Sequence, residues 1–339
     1  MSIPDASSEL VLGLLSDALG ECLSGEALSS KLGLSPTEVY RQIEALRSLG
    51  YRIESRGRAG YRLVSVPDRL TPLEIDTFLT THDLGRELHH RAVIDSTNAL
   101  AHILAGEGAF HGEAVVAEHQ TQGRGRRGRT WISPPEQNIY LSVILRPDLE
   151  ASRAPELTFV AGVAIAESLR TAFNLPVDLK WPNDLLVHGL KLAGILTELG
   201  TKKDRIDYVV LGLGLNVNME TEDFPEEIAS TATSLRIELG QSLDRPLLCA
   251  AILSSLEAWY DRWLEEGFEP VREMWQTLSA TLQRPVRVLL GEDVQGFDGI
   301  AEGIDARGSL LVRRANGVLE RVVAGEVQHL RPLKHQPSE

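Results

Sequence analysis

The spacing of apolar residues changes twice along the chain. From Leu10 to about Leu63 the spacing is mostly helical and ends in a short hairpin-like segment. From about Leu73 to Trp275, β-branched runs alternate with amphipathic stretches, which predicts a mixed α/β domain. After Leu282, short alternating runs separated by glycines predict a small β-barrel of the SH3 kind.

The central region carries seven predicted strands and three predicted helices. The strands are Arg91–Ile94, Ala114–Glu118, Asn138–Leu145, Val177–Lys180, Asp184–Val187, Lys191–Leu199 and Tyr208–Asn216. The helices are Asn98–Ala105, Glu156–Phe173 and Arg245–Glu266. In the tail, the predicted strands are Pro285–Leu290, Gly299–Ile304, Ser309–Arg313 and Leu319–Val323. The predicted fold class is therefore α/β, in the α+β sense.

The length and the proline pattern predict three domains. A chain of 339 residues exceeds one ordinary domain. Two prolines between Ser65 and Pro72 are typical of a linker. We predict an N-terminal domain at 1–65, a central domain at 66–277 and an SH3-like domain at 278–335.

Composition excludes several classes of protein. The net charge of −14 argues against a protein that mainly coats nucleic acid or anionic membrane. Cys22 and Cys249 are far apart and lack metal-ligand spacing, which indicates reduced thiols. Acidic residues interrupt the first apolar run, and no apolar stretch is long enough to span a bilayer. We expect a cytoplasmic protein with no membrane partner.

The N-terminal region has the pattern of a winged helix-turn-helix. Ser35 and Glu38 form a capping-box pattern with Pro36 at the first helical position, after a tight turn. The second helix of such a motif enters a major groove, and a hairpin tip with two arginines suits phosphate contact. The candidate DNA-binding residues are Ser35, Thr37, Tyr40, Arg41, Arg56 and Arg58. A module for protein contacts is the alternative interpretation.

Arginines and glycines interleave between Gln120 and Trp131. The arginines are Arg124, Arg126, Arg127 and Arg129, and the glycines are Gly123, Gly125 and Gly128. Glycines let a backbone approach a ligand closely, and arginines hold carboxylate and phosphate oxygens. This combination suits a carboxylate attacking an α-phosphate, because the repulsion between the two anions must be neutralised. A flexible basic loop is the alternative.

A second polar motif, Lys180-Trp-Pro-Asn-Asp184, joins two predicted strands. Asn183 and Asp184 are suited to binding a ribose or a metal-bound water, although a plain hairpin turn has the same residues. Lys191 opens the next apolar strand, in position to bridge an acid and a phosphate, or else to lie on the surface.

Two further segments contain groups suited to a ligand. Asp95-Ser-Thr-Asn98 is typical of an ordinary helix N-cap, or of a grip on a compact polar head. Val210–Asn218 lacks the third glycine and the strand–turn–helix order of a dinucleotide fingerprint, which excludes a Rossmann site. Its glycines would let a ligand lie flat against a strand.

Together these motifs resemble the bacterial biotin–protein ligases of the bifunctional type, which also repress the biotin operon. The matching segments are Ser96–Asn98, Gly123–Arg129 with Trp131, Lys180–Asp184, Lys191–Leu196, Gly212–Asn216 and Ala324–Val327. They occur in the order and spacing of that family, and with the winged helix the likeness covers nearly the whole chain. The resemblance implies a class II synthetase-like catalytic domain.

The resemblance also implies the site residues. Biotin would be bound by Ser96, Thr97, Asn98, Gln120, Arg124, Gly125, Arg126, Lys191, Gly194 and Gly212. ATP and the adenylate would be bound by Arg126, Arg127, Arg129, Trp131, Asn183, Asp184 and Asn216. Lys191 and Arg126 would be the catalytic residues. No residue is predicted as a firm metal ligand, although Asp184 would help to place Mg²⁺.

The implied reaction forms biotinyl-5′-AMP and transfers biotin to a lysine of the biotin carboxyl carrier protein of acetyl-CoA carboxylase. The implied partners are that carrier, operator DNA of biotin genes and a second copy of the chain in a ligand-linked homodimer. Two alternatives stay open at this point: a lipoate–protein ligase, and a DNA-binding biotin sensor without catalysis.

Overall fold

The structure, a computed structural model, describes residues 6–18, 20–289 and 296–330 of the chain, without the side chains of Ala6 and Arg58. The chain separates into two compact units. The first comprises Met1–Thr80 with Asp244–Ala250, and the second comprises Thr81–Leu243 with Ala251–Glu339.

The first unit is a small helical module with a two-stranded hairpin. Its elements are α1 (Ala6–Asp17), α2 (Gly25–Leu32), α3 (Pro36–Ser48), β1 (Arg52–Ser55), β2 (Tyr61–Ser65) and α4 (Pro72–Asp76). Strands β1 and β2 are antiparallel. This arrangement confirms the predicted helix-turn-helix followed by a wing.

Local sequence explains how α3 is held. Gly33 ends α2 with a φ of +66°, a conformation that glycine adopts without steric cost. The predicted capping box is present, because the Ser35 hydroxyl accepts from the Glu38 N–H and the Glu38 carboxylate accepts from the Ser35 N–H at 2.8 Å. Val39 and Ile43 are buried in the core of the unit, so the opposite face of α3 is exposed.

The second unit contains a seven-stranded mixed sheet. Its strands are β3 (Leu88–Arg91), β4 (Ala114–Ala117), β5 (Ile139–Leu145), β6 (Val177–Lys180), β7 (Asp184–Val187), β8 (Leu190–Lys202) and β9 (Arg205–Leu215). Their order is β3-β4-β5-β9-β8-β7-β6. Only the β3–β4 pair is parallel among these pairings.

Among the described residues, six helices follow α4 along the chain, and one of them begins within the segment Asp244–Ala250 of the first unit. They are α5 (Thr97–Gly106), α6 (Glu156–Phe173), α7 (Glu226–Ala229), α8 (Leu235–Leu239), α9 (Arg245–Glu266) and α10 (Glu269–Thr277). Helix α6 is apolar on most sides and is largely buried, as expected for a helix inside a large core. Within the described residues, no helix combines the length and the apolar character that crossing a bilayer requires.

A five-stranded antiparallel sheet follows in the same unit. Its strands are β10 (Pro285–Leu289), β11 (Phe297–Ile304), β12 (Leu310–Arg313), β13 (Leu319–Val322) and β14 (Glu326–His329). Their order is β13-β12-β11-β10-β14. Val286, Val288 and Val312 are fully buried in its core. The predicted SH3-like tail is confirmed, with one strand more than the sequence pattern indicated.

Some predicted elements were wrong or missing. The strand predicted at Arg91–Ile94 lies earlier, at Leu88–Arg91, because pairing with β4 begins at Leu88. The prediction followed the apolar pair Val93 and Ile94, but Val93 is 60% exposed and Ile94 makes only an isolated bridge to Gln120. The strand β14 and the helices α4, α7, α8 and α10 were not predicted.

Candidate functional site

One cavity in the second unit gathers almost all the predicted ligand-binding residues. The start of α5, the arginine-glycine loop, the β6–β7 turn and strands β8 and β9 line it, together with the start of β14. Its empty space of about 990 Å³ includes the open mouth. All residues predicted for the biotin and adenylate sites line this cavity except Asn216.

A network of hydrogen bonds holds the polar groups at the start of α5. The Gln120 Oε1 accepts from the Thr97 N–H at 2.9 Å, and the Gln120 Nε2 donates to the Ser133 hydroxyl at 3.1 Å. The Ser142 hydroxyl lies 2.8 Å from Thr97 Oγ1 and 2.6 Å from Asn98 Oδ1. All five side chains are buried, so their orientations are fixed before a ligand arrives.

Three strand glycines make room for these side chains. A Cβ at Gly212 would lie 2.0 Å from Asn98 Oδ1, and a Cβ at Gly214 would lie 2.4 Å from the Trp131 ring. A Cβ at Gly194 would lie 3.2 Å from the same ring. Because these glycines of β8 and β9 have no Cβ, they leave space for the Asn98 side chain and the Trp131 indole. They also line the cavity.

The indole of Trp131 has an unsatisfied donor. Its Nε1 is buried and has no hydrogen-bond partner among the described residues. Leaving a buried N–H unpaired costs about 1–3 kcal/mol. A ligand that offers an acceptor to this N–H would remove that cost.

The arginine-glycine loop is folded into a tight turn. The Gly125 N–H donates to the Arg129 carbonyl at 2.7 Å, and a 3₁₀ turn covers Arg126–Gly128. Arg127 has a φ of +55° and Gly128 a φ of +70°. The loop presents three exposed arginines, at positions 124, 127 and 129.

Arg126 points inward and differs from its neighbours. Its guanidinium donates to Asn183 Oδ1 at 3.3 Å, and it is partly buried. Burial, together with the nearby charge of Arg127, lowers the pKa of Arg126 from its usual value. An arginine remains charged even so, and a desolvated charge interacts strongly with an anion.

Lys191 and Asp184 form an ion pair at the cavity. The Lys191 Nζ lies 2.7 Å from the Asp184 Oδ1 and 5.5 Å from the centre of the Trp131 ring. Both groups are partly exposed. The ammonium group is therefore held at the cavity by a carboxylate and an aromatic face.

The SH3-like tail contributes groups that sequence reasoning did not assign to the site. Gly325, Glu326 and Val327 line the cavity, and the Glu326 carboxylate pairs with the Arg129 guanidinium. Trp181, also in the lining, donates from its Nε1 to the Gly308 carbonyl at 3.1 Å. For Gly325, Glu326 and Val327, the only signal in the sequence was the family segment 324–327.

Asn216 lies outside the cavity lining. Its amide is buried and donates to the Thr233 carbonyl at 3.0 Å. In the structure it therefore supports the segment after β9.

Within the part of the chain that the structure describes, the cavity has no preassembled metal cage. Among the described residues, no group of three or more His, Cys, Asp or Glu side chains is arranged to hold a metal ion. Asp184 and Glu326 are the lining carboxylates, and each is paired with a cation. Mg²⁺ commonly binds through one or two carboxylates plus substrate phosphates, so Asp184 fits that limited role.

In the first unit, the exposed face of α3 carries the predicted DNA-binding side chains. Thr37, Tyr40 and Arg41 are exposed, while the Ser35 hydroxyl contacts the Glu38 carboxylate at 2.6 Å as part of the cap. In the wing, Arg56 pairs with Glu54 at 3.0 Å and holds the pKa of that carboxyl below its usual value. The side chain of Arg58 lies outside the described residues.

Comparison with known proteins agrees with this arrangement. The sequence model of the Biotin/lipoate A/B protein ligase family matches residues 91–216. Models of an HTH domain and of the Biotin protein ligase C terminal domain match residues 8–62 and 281–330.

Individual proteins are similar over most of their length. The bifunctional ligase/repressor BirA of Bacillus subtilis (strain 168) is 38% identical over 94% of this chain and 97% of its own. The biotin--[acetyl-CoA-carboxylase] ligase of Mycobacterium tuberculosis is 38% identical over 78% of this chain and 98% of its own. A structure of the biotin protein ligase from Aquifex aeolicus in complex with biotin and ATP is 30% identical, with a TM-score of 0.63, over 73% of this chain and 100% of that one. The chain therefore belongs to the BirA family of bifunctional biotin ligases and repressors.

Proposed function

We propose that this chain activates biotin with ATP and transfers it to a lysine of the biotin carboxyl carrier protein of acetyl-CoA carboxylase. In the first step a carboxylate oxygen of biotin attacks the α-phosphorus, and pyrophosphate leaves. In the second step the lysine amine attacks the acyl carbon, and AMP leaves. The observation that carries the proposal is that Lys191 and Arg126 share one cavity with the buried polar network of Thr97 and Gln120.

The buried network is assigned to the ureido head of biotin. A ureido group has two N–H donors and one carbonyl acceptor, and the network has hydroxyl and amide groups of both kinds. Because these groups already form hydrogen bonds with one another, their side chains lose little conformational entropy when a ligand binds. The proposed head-group residues are Ser96, Thr97, Asn98 and Gln120, with Gly212 and Gly194 on the adjacent strands and the backbone of Arg124 and Gly125.

The cationic side of the cavity is assigned to the reacting groups. We propose that Lys191 leaves Asp184 and binds the biotin carboxylate and the α-phosphate, and that Arg126 neutralises the same phosphate. Two anions must approach closely before the new bond forms, so aimed positive charge lowers the barrier to their meeting. Preorganised charges of this kind typically account for 10²–10³-fold in rate.

The remaining loop and turn residues are assigned to the nucleotide. Arg127 and Arg129 would bind the phosphates, and Trp131 and Asn183 would surround the nucleoside. Asp184 would hold Mg²⁺ together with the phosphates, and the ion would supply charge neutralisation there. For Asn216 the proposal requires a rotation of its buried amide away from Thr233.

We further propose that the first unit binds operator DNA of biotin genes. The exposed face of α3 and the presence of an HTH domain support this role. We also propose a ligand-linked homodimer and a cytoplasmic location.

A transfer assay tests the enzymatic proposal. The chain is incubated with ATP, Mg²⁺, a purified biotin carboxyl carrier domain, and either biotin or lipoate. The expected result is a mass increase of the carrier with biotin, and pyrophosphate release that requires both biotin and ATP. Preferential use of lipoate would identify a lipoate ligase instead, and binding of biotin without pyrophosphate release would identify a non-catalytic sensor.

A mobility-shift assay tests the DNA proposal. The probe is the promoter of the biotin genes from the same genome, with and without biotin and ATP. We expect a shift that grows with ligand and that falls for Arg41→Ala, because each lost phosphate or base contact weakens binding. The absence of any shift at low salt would contradict the proposal.

A further inference from the structure

A carboxylate outside the cavity lining accepts a hydrogen bond from one of the buried side-chain amides that line the cavity. The Glu198 Oε2 accepts from the Asn98 Nδ2 at 2.7 Å. The second contact of that nitrogen, to the Leu196 carbonyl, is longer at 3.3 Å. Because an ionised carboxylate only accepts hydrogen bonds, it fixes which end of the Asn98 amide faces it.

The fold brings Asn98, on one face of α5, next to Glu198, on one face of the sheet. Asn98 and His102 lie one helical turn apart and both face Glu198, whose carboxylate is 3.6 Å from the His102 Nε2. On the sheet, Leu196 pairs with Gly212 and Glu198 pairs with Val210. The missing side chain at Gly212 leaves the space that the Asn98 amide fills.

The orientation of Asn98 extends to the residues assigned to the head group. With its nitrogen on Glu198, the Asn98 Oδ1 faces the Ser142 hydroxyl at 2.6 Å. Ser142 is also 2.8 Å from Thr97 Oγ1, and the Thr97 N–H donates to Gln120. A continuous set of hydrogen bonds therefore runs from Glu198 to Gln120.

We propose that Glu198 is a positioning residue for the head-group end of the cavity, an inference that rests on the proposed biotin ligase function. Its carboxylate holds the Asn98 amide in one orientation, and Asn98 in turn sets the hydroxyl of Ser142 against Thr97. Glu198 does not line the cavity, and its side-chain hydrogen bond to the lining is the one from Asn98.

The test compares the biotin KM and the ATP KM of Glu198 variants by pyrophosphate release. Glu198→Ala and Glu198→Leu remove the acceptor, and we expect a rise in the biotin KM of about tenfold, the effect of losing one hydrogen bond that orients a site. The ATP KM is expected to change less than about twofold. Glu198→Gln keeps an acceptor oxygen, so its biotin KM should stay within about threefold of the wild-type value.

A double-mutant cycle separates positioning from general destabilisation. If Glu198 acts through Asn98, the biotin KM of the double alanine variant should match that of Asn98→Ala alone. Glu113→Ala is the matched control, because Glu113 is also partly buried and also has a histidine beside it, with His89 Nε2 at 2.9 Å, but does not line this cavity. It should leave the biotin KM unchanged.

The possible failures are distinguishable. A wild-type protein without biotin-dependent pyrophosphate release would remove the proposed function itself. An active wild type with an unchanged biotin KM in Glu198→Leu, or with equal rises for biotin and ATP, would overturn only the role of Glu198. Should Glu198→Ala fold poorly, the comparison of the leucine and glutamine variants, which are similar in size, decides the question.

Discussion

Lys191 and Asp184 lie on neighbouring strands with their charged atoms 2.7 Å apart, at the cavity that also holds the Arg126 side chain. A partly exposed pair of this kind adds little to the stability of the fold, commonly 0–1 kcal/mol. Its position indicates a different use. We propose that the carboxylate keeps the ammonium group at the cavity until an anion of higher charge replaces it.

Lys191→Ala should abolish most of the adenylation and leave the fold intact. We expect biotin-dependent pyrophosphate release to fall by about 10²–10³-fold, because the lost charge acts on the reacting groups. The midpoint of thermal unfolding should change by only a few degrees. Lys202→Ala, an exposed lysine at the far end of the same strand, is the control. Near-normal turnover in Lys191→Ala would remove this residue from the mechanism.

Arg126→Gly should release the activated intermediate faster. The partly buried guanidinium is proposed to hold the phosphate of biotinyl-5′-AMP, and a hydrogen bond to a charged group contributes about 1.5–3 kcal/mol. The dissociation rate of the intermediate should therefore rise by about 10–100-fold, which is measurable as biotin labelling of lysines on unrelated proteins.

The control for this experiment is Arg287→Gly. Its guanidinium pairs with Asp298 in the tail sheet and does not line the cavity. Equal dissociation rates in the Arg126 and Arg287 variants would count against the assignment.

Gly214→Ala should move the indole of Trp131. The new Cβ would lie 2.4 Å from the ring, too close for any real contact, so the ring must shift. Overpacking of this kind typically costs about 1–3 kcal/mol. We expect the ATP KM to rise by about tenfold and the Trp fluorescence to change. Gly106→Ala, with no atom within 4 Å of the new Cβ, should do neither.

Much of the site was predictable because its chemistry is concentrated in short segments. Four arginines within six positions, Asn183 beside Asp184, and Lys191 at the start of an apolar strand are unusual combinations of residue types. The structure brings all of these segments to one cavity.

The contributions that the sequence did not indicate come from long-range pairing. Glu326 is 197 residues away from Arg129 and becomes its partner only when β14 forms beside the cavity. Glu198 lies on β8. The alternation of apolar and polar residues along a strand predicts the face of the sheet on which a side chain lies, but not the helix that packs against that face. Strand β3 was misplaced because its register depends on β4 and not on its own residues.

The stability of the second unit should fall as the pH drops from about 6.5 to 4. Burial, with Lys180 and Arg284 nearby, lowers the pKa of His329 from 6.5 to about 4. Between these values the unfolded chain binds a proton that the folded chain does not, so acid favours unfolding. The stabilising contribution is complete above pH 6.5 and is lost as the pH approaches 4.

His329→Gln isolates this effect. In urea unfolding, the free energy of unfolding of the variant should fall less than that of the wild type between pH 6.5 and 4.5. Above pH 7 the difference between the two free energies should stay constant. Parallel pH profiles for the two proteins throughout the range would show that His329 is not the group responsible.

Lys191 and Arg126 are proposed to bring two anions together. A crystal structure of the complex with biotinyl-5′-AMP tests this proposal most directly, through the distances from their nitrogen atoms to the phosphate oxygens. We expect distances of about 3 Å, with Lys191 released from Asp184. A bound intermediate with Lys191 still on Asp184 and with Arg126 turned to solvent would contradict the account.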